Sequence, residues 1–573
     1  MSTEGKKTTN GAAVVVHVLQ HEKIQFVFGI PGTHNIELYD AFLDAEGITP
    51  VLVTDEQSAA FMADGVVRAS GALAAVNLVP GAGLTHALSG IAECYYDQIP
   101  LLALLCGVRT DTGNAYQLHD IDQVAIARPV CKKVFQPKTH QELYLALGEA
   151  AQVARMAPCG PVAIEVSANL YLSQGEWGGG EGVSKVAVQP AAPKIENLAQ
   201  IAEVLNGAGR VGIYVGKSLE NSGSDLLNLS EKLDAVVFTT VSGKGVFPED
   251  HFRFAWNALG RAAPSEVQDL EKQLDCVLAI GCRFAEVATG SYGVAKPKQL
   301  IHVDADASVF DRNLKADLKL QADSGEFVRA LLASGLLKER TARTVVAARA
   351  APNASESVDG VSPPRLMSRL QELCGDKSVF VTDSGNGLFL AMENLRLKHP
   401  RSFLAPVDYS CMGYSVPSAI GAKLACPDRP VVALVGDGAF MMTGFEMATA
   451  ASYSAGVIFL LLRDRELSQI SQFQKMVLGR QICTKTPDYD SEALAKGLGV
   501  SYLRLEKDAE IDSVLSQAIE ISRSKTPVLV EVKIDYSVST HFSKGVVKTN
   551  FLRLPWKDRL RMVSRVVKRK LFK

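Results

Sequence analysis

Two short segments in the last third of the chain end an apolar run beside an aspartate. The run "VVALVG" is followed by Asp437 and Gly438, and the run "VIFLLL" is followed by Arg463 and Asp464. The carboxyl ends of neighbouring parallel strands meet at one edge of a sheet, where α/β proteins bind ligands. Glycines there let a bulky anion approach the backbone, but the carboxylates repel that anion unless a divalent cation lies between them. The two segments therefore predict a site for a diphosphate bound through Mg²⁺.

The predicted metal ligands are Asp437, Asp464 and a carbonyl oxygen in the turn at Glu466. Mg²⁺ takes octahedral oxygen coordination, with one or two carboxylates beside phosphate oxygens and water. Without other motifs, the Gly-Asp-Gly segment is explained more simply as a tight turn and Asp464 as a helix N-cap. Arg463 has two interpretations: its guanidinium offsets the added charge of Asp464, or it points to solvent.

These loops need strands to position them, and short β-rich runs alternate with longer helical patterns through most of the chain. Such alternation is typical of parallel α/β sheets. The first and third parts of the chain also share a layout of strand, glycine-containing loop, helix and strand. The runs that predict strands are FVFGIPG, PVLVTDE, AAVNLVPG, PLLALLCG, PVAIEV, RVGIYVG, AVVFTT, CVLAIG, QLIHVD, SVFVTD, PVVALVG, GVIFLLL and PVLVEV.

Two segments of small, polar, Gly and Pro residues, 173–194 and 341–364, predict linkers. They divide the chain into three consecutive α/β domains at residues 1–172, 195–337 and 364–540. Each domain is expected to hold a doubly wound parallel sheet. Residues 541–573 follow as a separate tail.

The C-terminal tail is strongly basic. From residue 544 to residue 573 it holds eleven Lys or Arg residues against one acid, Asp558. Its apolar residues Leu560, Val563, Val567 and Leu571 recur at helical spacing. The tail therefore predicts a basic amphipathic helix.

The composition limits the classes of protein to which the chain can belong. The 573 residues carry a formal net charge of -2, with 47% hydrophobic and 21% charged residues, which is typical of a globular protein without global attraction to nucleic acid. The ten cysteines are scattered and form no CxxC pair, which argues against a zinc site or a disulfide framework. The first residues predict no cleavable signal, and the longest apolar runs fall short of the roughly 20 residues that span a bilayer. The predicted location is cytoplasmic.

Five motifs follow one another along the chain: FGIPGTHNIELYDAF, VTDEQSAAFMADGVVRASG, TTVSGKGVFPEDH, DSGNG and MGYSVPSAIGAKLACPDRPVVALVGDGAFMMTGFEMATA. In order and spacing they resemble those of the thiamine-diphosphate enzymes of the acetolactate synthase and pyruvate decarboxylase superfamily. The resemblance is strongest to acetolactate synthase-like large subunits and covers about residues 10–540. It implies an N-terminal pyrimidine-binding domain, a central domain and a C-terminal diphosphate-binding domain, with thiamine diphosphate and Mg²⁺ as cofactors.

The resemblance implies cofactor contacts residue by residue. Glu56 matches the glutamate that hydrogen-bonds N1′ of the aminopyrimidine, where its carboxyl group favours the imino tautomer that deprotonates thiazolium C2. Met412 matches the apolar residue that keeps the cofactor bent, beside the backbone of Ser410. The implied diphosphate contacts are Asn386, Gly387, Gly436, Asp437, Gly438 and Ala439.

Four more side chains fall at substrate-facing positions of the family. Thr33 and His34 lie where the side chains over the reacting carbon vary. His119 lies where acetolactate synthases have a catalytic glutamine, and His86 replaces a common asparagine. A structural role explains each histidine equally well. Imidazoles that titrate near neutrality nevertheless suit the proton transfers that follow decarboxylation.

The resemblance implies an enzyme, a lyase or transferase that decarboxylates a 2-oxo acid and ligates the resulting enamine to a second carbonyl. Family members take the glutamate from one subunit and the diphosphate site from another, which implies a homodimer or homotetramer with interface active sites. The alternatives are a decarboxylase without ligation, a flavin-dependent membrane-associated 2-oxo acid oxidase, and a homologue that has become regulatory or structural.

Two segments bear on these alternatives. The central domain carries flavin in acetolactate synthases, but WNALGRAAP stands where their GMHG-like segment is expected, so FAD is the less favoured cofactor. The segment HFSKGVVKTNF lies where relatives have a lid over the site. The basic helix after it either makes a peripheral membrane contact with anionic lipid, as in membrane-activated pyruvate oxidases, or packs on a neighbouring subunit.

Overall fold

The computed structural model describes residues 7–178, 193–340, 357, 359–537 and 539–571. Most of the two predicted linkers, 173–194 and 341–364, lies outside these residues. Three six-stranded sheets, here called the first, central and third sheets in chain order, are parallel throughout. The prediction of an α/β protein with three parallel sheets is confirmed. Every helix in the described ranges is too short or too polar to cross a bilayer.

The first sheet has the strand order β3-β2-β4-β5-β7-β6, and a separate antiparallel pair, β1 and β8, joins the two ends of this unit. Its inner strands are continuous apolar runs because helices cover both faces. The strands are β1 (Lys7–Asn10), β2 (Phe26–Gly29), β3 (Thr49–Leu52), β4 (Ala75–Leu78), β5 (Leu101–Gly107), β6 (Lys133–Phe135), β7 (Pro161–Ser167) and β8 (Gln174–Trp177). The helices are α1 (Gly11–His21), α2 (Ile36–Leu43), α3 (Glu56–Ser70), α4 (Ala82–Tyr96), α5 (Gln123–Ala127), α6 (His140–Arg155) and α7 (Ala168–Leu172).

The central sheet has the order β11-β10-β9-β12-β13-β14. Numbered from its own first strand, this is 3-2-1-4-5-6, the doubly wound order in which ligands bind between strands 1 and 4. The strands are β9 (Val211–Val215), β10 (Val236–Thr239), β11 (Phe254–Trp256), β12 (Cys276–Ile280), β13 (Gln299–Asp304) and β14 (Leu318–Gln321). The helices are α8 (Ile195–Gly207), α9 (Gly223–Lys232), α10 (Ser265–Lys272) and α11 (Ser324–Ala333).

The third sheet has the order β16-β15-β17-β18-β20-β19. The strands are β15 (Val379–Thr382), β16 (Phe403–Leu404), β17 (Val431–Gly436), β18 (Ile458–Arg463), β19 (Ser501–Leu505) and β20 (Val528–Lys533). The helices are α12 (Pro363–Cys374), α13 (Asn386–Asn394), α14 (Ser415–Ala425), α15 (Asp437–Thr443), α16 (Met447–Ser452), α17 (Ser468–Leu478), α18 (Ser491–Gly497) and α19 (Ile511–Arg523). Two helices of the tail follow, α20 (His541–Arg553) and α21 (Trp556–Leu571).

The third sheet packs against both other units. Along its strands alternate side chains point to opposite faces. Leu434 and Leu460 belong to an apolar cluster shared with the central unit, whereas Val435 and Leu461 belong to one shared with the first unit. Loops at the carboxyl edge of the third sheet are therefore held from two sides.

Helices α3 and α14 make the closest contact between the first and third units. A Cβ atom on Gly65 would collide with the carbonyl oxygen of Ser418, and one on Gly421 would collide with the carbonyl oxygen of Met62. Only glycine allows the two backbones to approach this far. The first and third sheets also share one strand order, 2-1-3-4-6-5 within each sheet, and α3 and α14 both follow the second strand of their sheet. The shared layout seen in the sequence is thus a shared topology.

A buried ion pair joins the central unit to α13. Lys244 Nζ lies 2.6 Å from Glu249 Oε2, and both side chains are fully buried. The ammonium also donates to Asn257 Oδ1 at 3.1 Å and to the carbonyl oxygens of Met392 and Leu395 at 3.3 and 3.0 Å. These contacts offset the cost of burying the charge.

Substitution of Lys244 by methionine is expected to lower the free energy of unfolding by about 3–5 kcal/mol, because it leaves the Glu249 carboxylate buried without its ammonium partner. Urea unfolding followed by tryptophan fluorescence measures the change. Lys272→Met is the matched control, since Lys272 and Asp269 form a surface pair with side chains 73% and 65% exposed. Its expected effect is below about 1 kcal/mol. Equal effects of the two substitutions would contradict the importance of the buried pair.

Candidate active site

A cleft opens at the carboxyl edge of the third sheet, between the loops that follow β15 and β17. This is the point where the strand order reverses, the usual ligand site of an open α/β sheet. The cleft has a volume of about 130 Å³. Its lining comes from Asp383, Ser384, Gly385, Asn386, Gly387, Met412, Leu434, Gly436, Asp437, Gly438, Ala439, Leu462, Asp464, Glu466, Leu467, Ser468, Gln469, Ile470 and Tyr536.

Asp437 is the buried acid of this cleft. Its Oδ2 atom accepts hydrogen bonds from the backbone N–H groups of Asp464 and Arg465 at 2.9 and 2.8 Å. Its Oδ1 atom is buried and has no hydrogen-bond partner among the described residues. Burial raises the pKa of this carboxyl group. A buried carboxylate oxygen without a hydrogen bond is available to ligate a metal, so Asp437 fits the predicted role.

Asp464 brings a second carboxylate to the same loop edge. Its Oδ2 atom accepts from the Ser468 hydroxyl group at 2.6 Å, and its Oδ1 atom accepts from the Glu466 N–H group at 3.3 Å. Burial, opposed in part by the Ser468 hydrogen bond and reinforced by the charge of Asp437, raises the pKa of Asp464 to about 6. The pKa values of Asp437 and Asp464 are both raised. A divalent cation between them would stabilise both carboxylates in their charged form.

Glu466 also lines the cleft. Its side chain is engaged elsewhere, since Oε2 accepts hydrogen bonds from Ser471 and from Gln481. Its carbonyl oxygen lies 3.4 Å from the Ser468 hydroxyl group. The carbonyl oxygen of Glu466, rather than its carboxylate, is thus the atom left for the predicted third metal ligand.

The opposite wall of the cleft offers hydrogen-bond donors. Asn386 is the first residue of α13, and its buried Nδ2 atom has no partner among the described residues. Gly385, just before it, adopts a φ of 117°, which favours glycine. Gly387 follows in the first turn and also lines the cleft. A helix N-terminus with a free amide donor suits a diphosphate.

Met412 reaches the cleft on a loop that Asp383 fixes. The Asp383 carboxylate accepts backbone hydrogen bonds from Ser384, Gly413 and Ser415 at 3.0, 3.0 and 2.8 Å. Burial raises its pKa to about 6. Met412 Cε lies 3.0 Å from the position of a Cβ atom on Gly438. Asp383 is not among the predicted site residues, although its position directly after an apolar strand was an available signal.

Ser410 lies two residues before Met412 on the same loop. Its φ of 64° is unusual for a residue other than glycine. Its hydroxyl group lies 2.8 Å from the hydroxyl group of Ser384, which lines the cleft. The loop therefore keeps a fixed, strained conformation beside the cleft.

Arg463 is buried, so the interpretation that it points to solvent is wrong. Its guanidinium lies 2.7 Å from Asp488 Oδ1 and 3.2 Å from Glu531 Oε2. It lies 4.4 Å from the ring centroid of Tyr489 and 3.8 Å from Asp437 Oδ1. The positive charge of Arg463 therefore lies beside Asp437, one of the acids that line the cleft.

Substitution of Arg463 by methionine is expected to lower the free energy of unfolding by about 3 kcal/mol, because the three carboxylates around it lose a buried cationic partner. Urea unfolding of the cofactor-free protein measures this loss. Arg465→Met is the control: Arg465 pairs with the same Asp488, at 2.9 Å, but its side chain is 62% exposed. Its expected effect is within about 1 kcal/mol. A similar loss for both variants would assign the effect to Asp488 alone.

The remaining predicted residues lie at the carboxyl edge of the first sheet. Glu56 is the first residue of α3, which begins where the Asp55 side chain accepts a hydrogen bond from the Gln57 N–H group. The Glu56 side chain is 10% exposed, and His86 Nδ1 lies 3.3 Å from its Oε2 atom. The imidazole of His86 is 62% exposed. Glu56 and His86 thus form a pair at the surface of the first unit.

Thr33, His34 and His119 form a neighbouring group. Thr33 Oγ1 lies 3.2 Å from His34 Nδ1, and the rings of His34 and His119 have centroids 5.8 Å apart. Partial burial and, to a smaller extent, the charge of His119 lower the pKa of His34. His119 is exposed and has a φ of 67°. Its carbonyl oxygen lies 2.6 Å from the position of a Cβ atom on Gly81, so this loop abuts the loop after β4.

Glu446 of the third unit holds the turn that precedes Glu56. Its buried Oε1 atom accepts hydrogen bonds from the N–H and hydroxyl groups of Thr54 at 2.9 and 2.6 Å. It also accepts from the N–H group of Asp55 at 3.2 Å. Glu446 is not among the predicted site residues, because only the folded chain brings it to a turn 392 residues away.

The predicted site residues therefore form two groups. One lines the cleft of the third unit, whose lining residues lie between 383 and 536. The other, around Glu56, lies on the first unit of the same chain. The two groups do not share one cleft within the described residues of a single chain.

A second cavity lies between the central unit and the other two, at the reversal point between β9 and β12. Gly216 and Gly281, directly after these strands, contribute to its lining, and its volume is about 160 Å³. Lys217 donates to the carbonyl oxygen of Asp97, and burial lowers the pKa of its ammonium group. Burial raises the pKa of Asp304, on the same lining, to about 6.

Three family descriptions match consecutive parts of the chain. They are "Thiamine pyrophosphate enzyme, N-terminal TPP binding domain" at residues 9–126, "central domain" at 198–331 and "C-terminal TPP binding domain" at 383–532. The cleft falls largely within the last of these ranges and Glu56 within the first.

Several known proteins are similar over most of the chain. A probable acetolactate synthase large subunit from Methanocaldococcus jannaschii is 29% identical, with 92% of each chain covered. Acetolactate synthase isozyme 3 large subunit from Escherichia coli is 28% identical, covering 92% of this chain and 95% of its own. An acetolactate synthase from Mycobacterium bovis is 26% identical over 91% and 87%, respectively.

Proposed function

Because the chain belongs to the thiamine pyrophosphate enzyme family, we propose that it uses thiamine diphosphate and Mg²⁺ to decarboxylate a 2-oxo acid and to join the remaining fragment to a second carbonyl compound. The observation that carries this proposal is the cleft, where Asp437 Oδ1 and Asn386 Nδ2 are buried without a hydrogen-bond partner among the described residues and suit a metal and a diphosphate. The similar proteins named acetolactate synthase support the ligation step.

In this proposal the cleft binds the cofactor through its diphosphate. Asp437, Asp464 and the carbonyl oxygen of Glu466 hold Mg²⁺. The thiazolium ring, when bound, supplies the sink for the electrons released by decarboxylation. Met412 lies on a loop that Asp383 keeps in place, where it would support the bound cofactor. The proposed diphosphate contacts all line the cleft: Asn386, Gly387, Gly436, Gly438 and Ala439. The backbone of Ser410 would contact the pyrimidine.

Glu56 is the proposed proton donor and acceptor at the pyrimidine ring. Its side chain is only 10% exposed, which limits direct contact of the carboxyl group with bulk water. His86, 3.3 Å away and exposed, connects this carboxyl group to solvent. Thr33, His34 and His119 lie nearby for proton transfers to the substrate after CO₂ leaves.

Each active site is proposed to form between two copies of the chain. Glu56 and the cleft lie in separate groups within one chain, so a partner is needed to bring them together. Exposed apolar side chains near both groups support such an interface, since patches of this kind mark contact surfaces. They are Tyr116, Leu118 and Ile121 beside His119, and Met441, Met442 and Phe445 in and after α15. A homodimer, or a homotetramer built from dimers, satisfies this requirement.

The decisive experiment incubates the protein with thiamine diphosphate, Mg²⁺ and a panel of 2-oxo acids, with and without added aldehydes. CO₂ release together with a ligated product in the mass spectrum is expected. CO₂ release with the free aldehyde as the sole product would favour the decarboxylase alternative. No turnover of any acid, together with cofactor binding, would favour a regulatory homologue.

A flavin-dependent oxidase is the second candidate, because the central cavity lies at the reversal point of a 3-2-1-4-5-6 sheet, where nucleotides bind in this architecture. FAD bound there would give the purified protein a visible absorbance band near 450 nm. A colourless protein that is active without added flavin would exclude this candidate.

A cytoplasmic location is part of the proposal. All ten cysteines are free, including the exposed Cys483. Free thiols persist in the reducing cytosol, whereas secreted proteins pair them.

A further inference from the structure

Helix α21 exposes a stripe of apolar side chains, here called the tail stripe: Trp556, Leu560, Val563 and Val567. These side chains are 65%, 60%, 47% and 46% exposed. Their spacing of four, three and four residues places them within a sector of about 60° around the helix axis. The stripe is therefore continuous along the helix and is uncovered in the described chain.

Cations border the tail stripe. The helix holds seven Lys or Arg residues and one acid, Asp558. At about 100° per residue, Lys557, Arg561 and Lys568 follow one border of the stripe, and Arg559 follows the other. An apolar stripe between cations is the pattern of helices that lie in a membrane interface.

The opposite side of α21 is anchored to the third unit. Arg565 and Arg569 donate to the carbonyl oxygens of Val477 and Leu478, at the end of α17, at 3.0 and 2.6 Å. On a helical wheel these two arginines lie roughly opposite the tail stripe. The stripe therefore faces away from the rest of the chain.

Helix α20 holds the base of α21 in place. The side chain of Phe542 stacks on Phe389 with ring centroids 3.8 Å apart. A Cβ atom on Gly545 would collide with the carbonyl oxygen of Arg261, so α20 lies directly against the central unit. Residues of α20 are not among those that line the cleft of the third unit, and the lid role expected for this segment stays a prediction.

Three kinds of surface could cover the tail stripe. A second α21 would bring two strongly basic helices together, and their like charges would repel. A nucleic acid would pair with the cations but leave the apolar side chains against a charged backbone. An anionic lipid surface satisfies both features, because its headgroups attract the cations and its acyl boundary takes the apolar side chains.

We propose that α21 docks the protein on anionic lipid surfaces, with the tail stripe in the acyl boundary and its bordering cations at the headgroups. The helix lies in the plane of the interface, and the rest of the protein stays outside the bilayer. This docking surface is independent of the proposed reaction and of its cofactors.

Sedimentation of the full-length protein with vesicles tests the proposal. Binding is expected to vesicles that contain about 30% phosphatidylglycerol and to be much weaker on phosphatidylcholine alone. High salt is expected to weaken the binding, since it screens the headgroup attraction.

Two sets of substitutions separate the contributions. Lys557→Gln, Arg561→Gln and Lys568→Gln combined are expected to lower the partition coefficient about a hundredfold, at roughly fivefold for each cation. Leu560→Ser with Val563→Ser is expected to lower it at least about tenfold. The matched control is Leu43→Ser, at a side chain on α2 that is 83% exposed, and it is expected to bind as the unchanged protein does. Circular dichroism checks that each variant is folded.

Three outcomes would overturn the proposal. The first is that the unchanged protein does not sediment with the anionic vesicles, or binds both vesicle types equally. The second is that the stripe and cation variants bind as well as the control, which would place the contact elsewhere. The third is that the stripe variant changes the oligomeric mass measured by light scattering, which would show that a second copy covers the stripe.

Discussion

Substitution of Glu56 by glutamine is expected to lower kcat for 2-oxo acid turnover by about two to four orders of magnitude, the usual contribution of a positioned acid or base. Glutamine keeps the size of the side chain but cannot exchange a proton with the cofactor. The Glu56 side chain is only 10% exposed, so water does not readily replace the missing carboxyl group. The initial rate of CO₂ release at saturating thiamine diphosphate and Mg²⁺ measures the effect.

Glu196→Gln is the matched control for this substitution. Glu196 is also in the first turn of a helix, α8, but it is exposed and belongs to the central unit. It is expected to leave kcat unchanged. The proton exchange rate at thiazolium C2, followed by NMR, should fall with Glu56→Gln and not with the control. Full activity of Glu56→Gln would remove Glu56 from the reaction.

Substitution of Asp437 by asparagine is expected to weaken Mg²⁺-dependent binding of thiamine diphosphate by more than about 100-fold, because loss of a direct ligand exceeds the roughly 10- to 100-fold cost of losing an outer partner. The amide also lacks the charge that balances the metal. Isothermal titration with thiamine diphosphate at fixed Mg²⁺ measures this loss, and the thermal stabilisation by the cofactor should disappear with it.

Ser468→Ala provides the graded control, because the Ser468 hydroxyl group contacts the second carboxylate, Asp464, at 2.6 Å rather than Asp437. Its expected effect on affinity is about 10-fold. Both variants should retain the circular dichroism spectrum of the unchanged protein. Equal affinities for Asp437→Asn and the unchanged protein would show that the metal is held elsewhere.

Much of the fold was predictable because inner strands of parallel sheets are continuous apolar runs. Every predicted run coincides with a strand. The strands that were missed are β1 and β8 of the antiparallel pair and β6, β11, β14, β16 and β19 at sheet edges. The missed edge strands have two to five residues, and some are partly exposed, as in Leu318–Gln321. They are too short or too polar to form the long apolar run that marks an inner strand.

The candidate site was predictable where neighbouring residues carry it. The Gly-Asp-Gly loop and Asp464 follow adjacent strands, so their convergence depends only on sheet order. Glu446 acts through a contact between distant segments, and nothing local marks it. The partners of Arg463 were hidden for the same reason, since Asp488 and Glu531 lie 25 and 68 residues along the chain.

The reciprocal contact of α3 and α14 has an evolutionary meaning. Two units with one topology that meet through equivalent helices describe an internal quasi-twofold, as expected after duplication of an ancestral unit that once paired with itself. The two units now carry different side chains at their carboxyl edges: Glu56 beside His86 on the first, and Asp437 and Asp464 on the third. Because the two units supply different side chains, neither unit alone holds all of the predicted site residues.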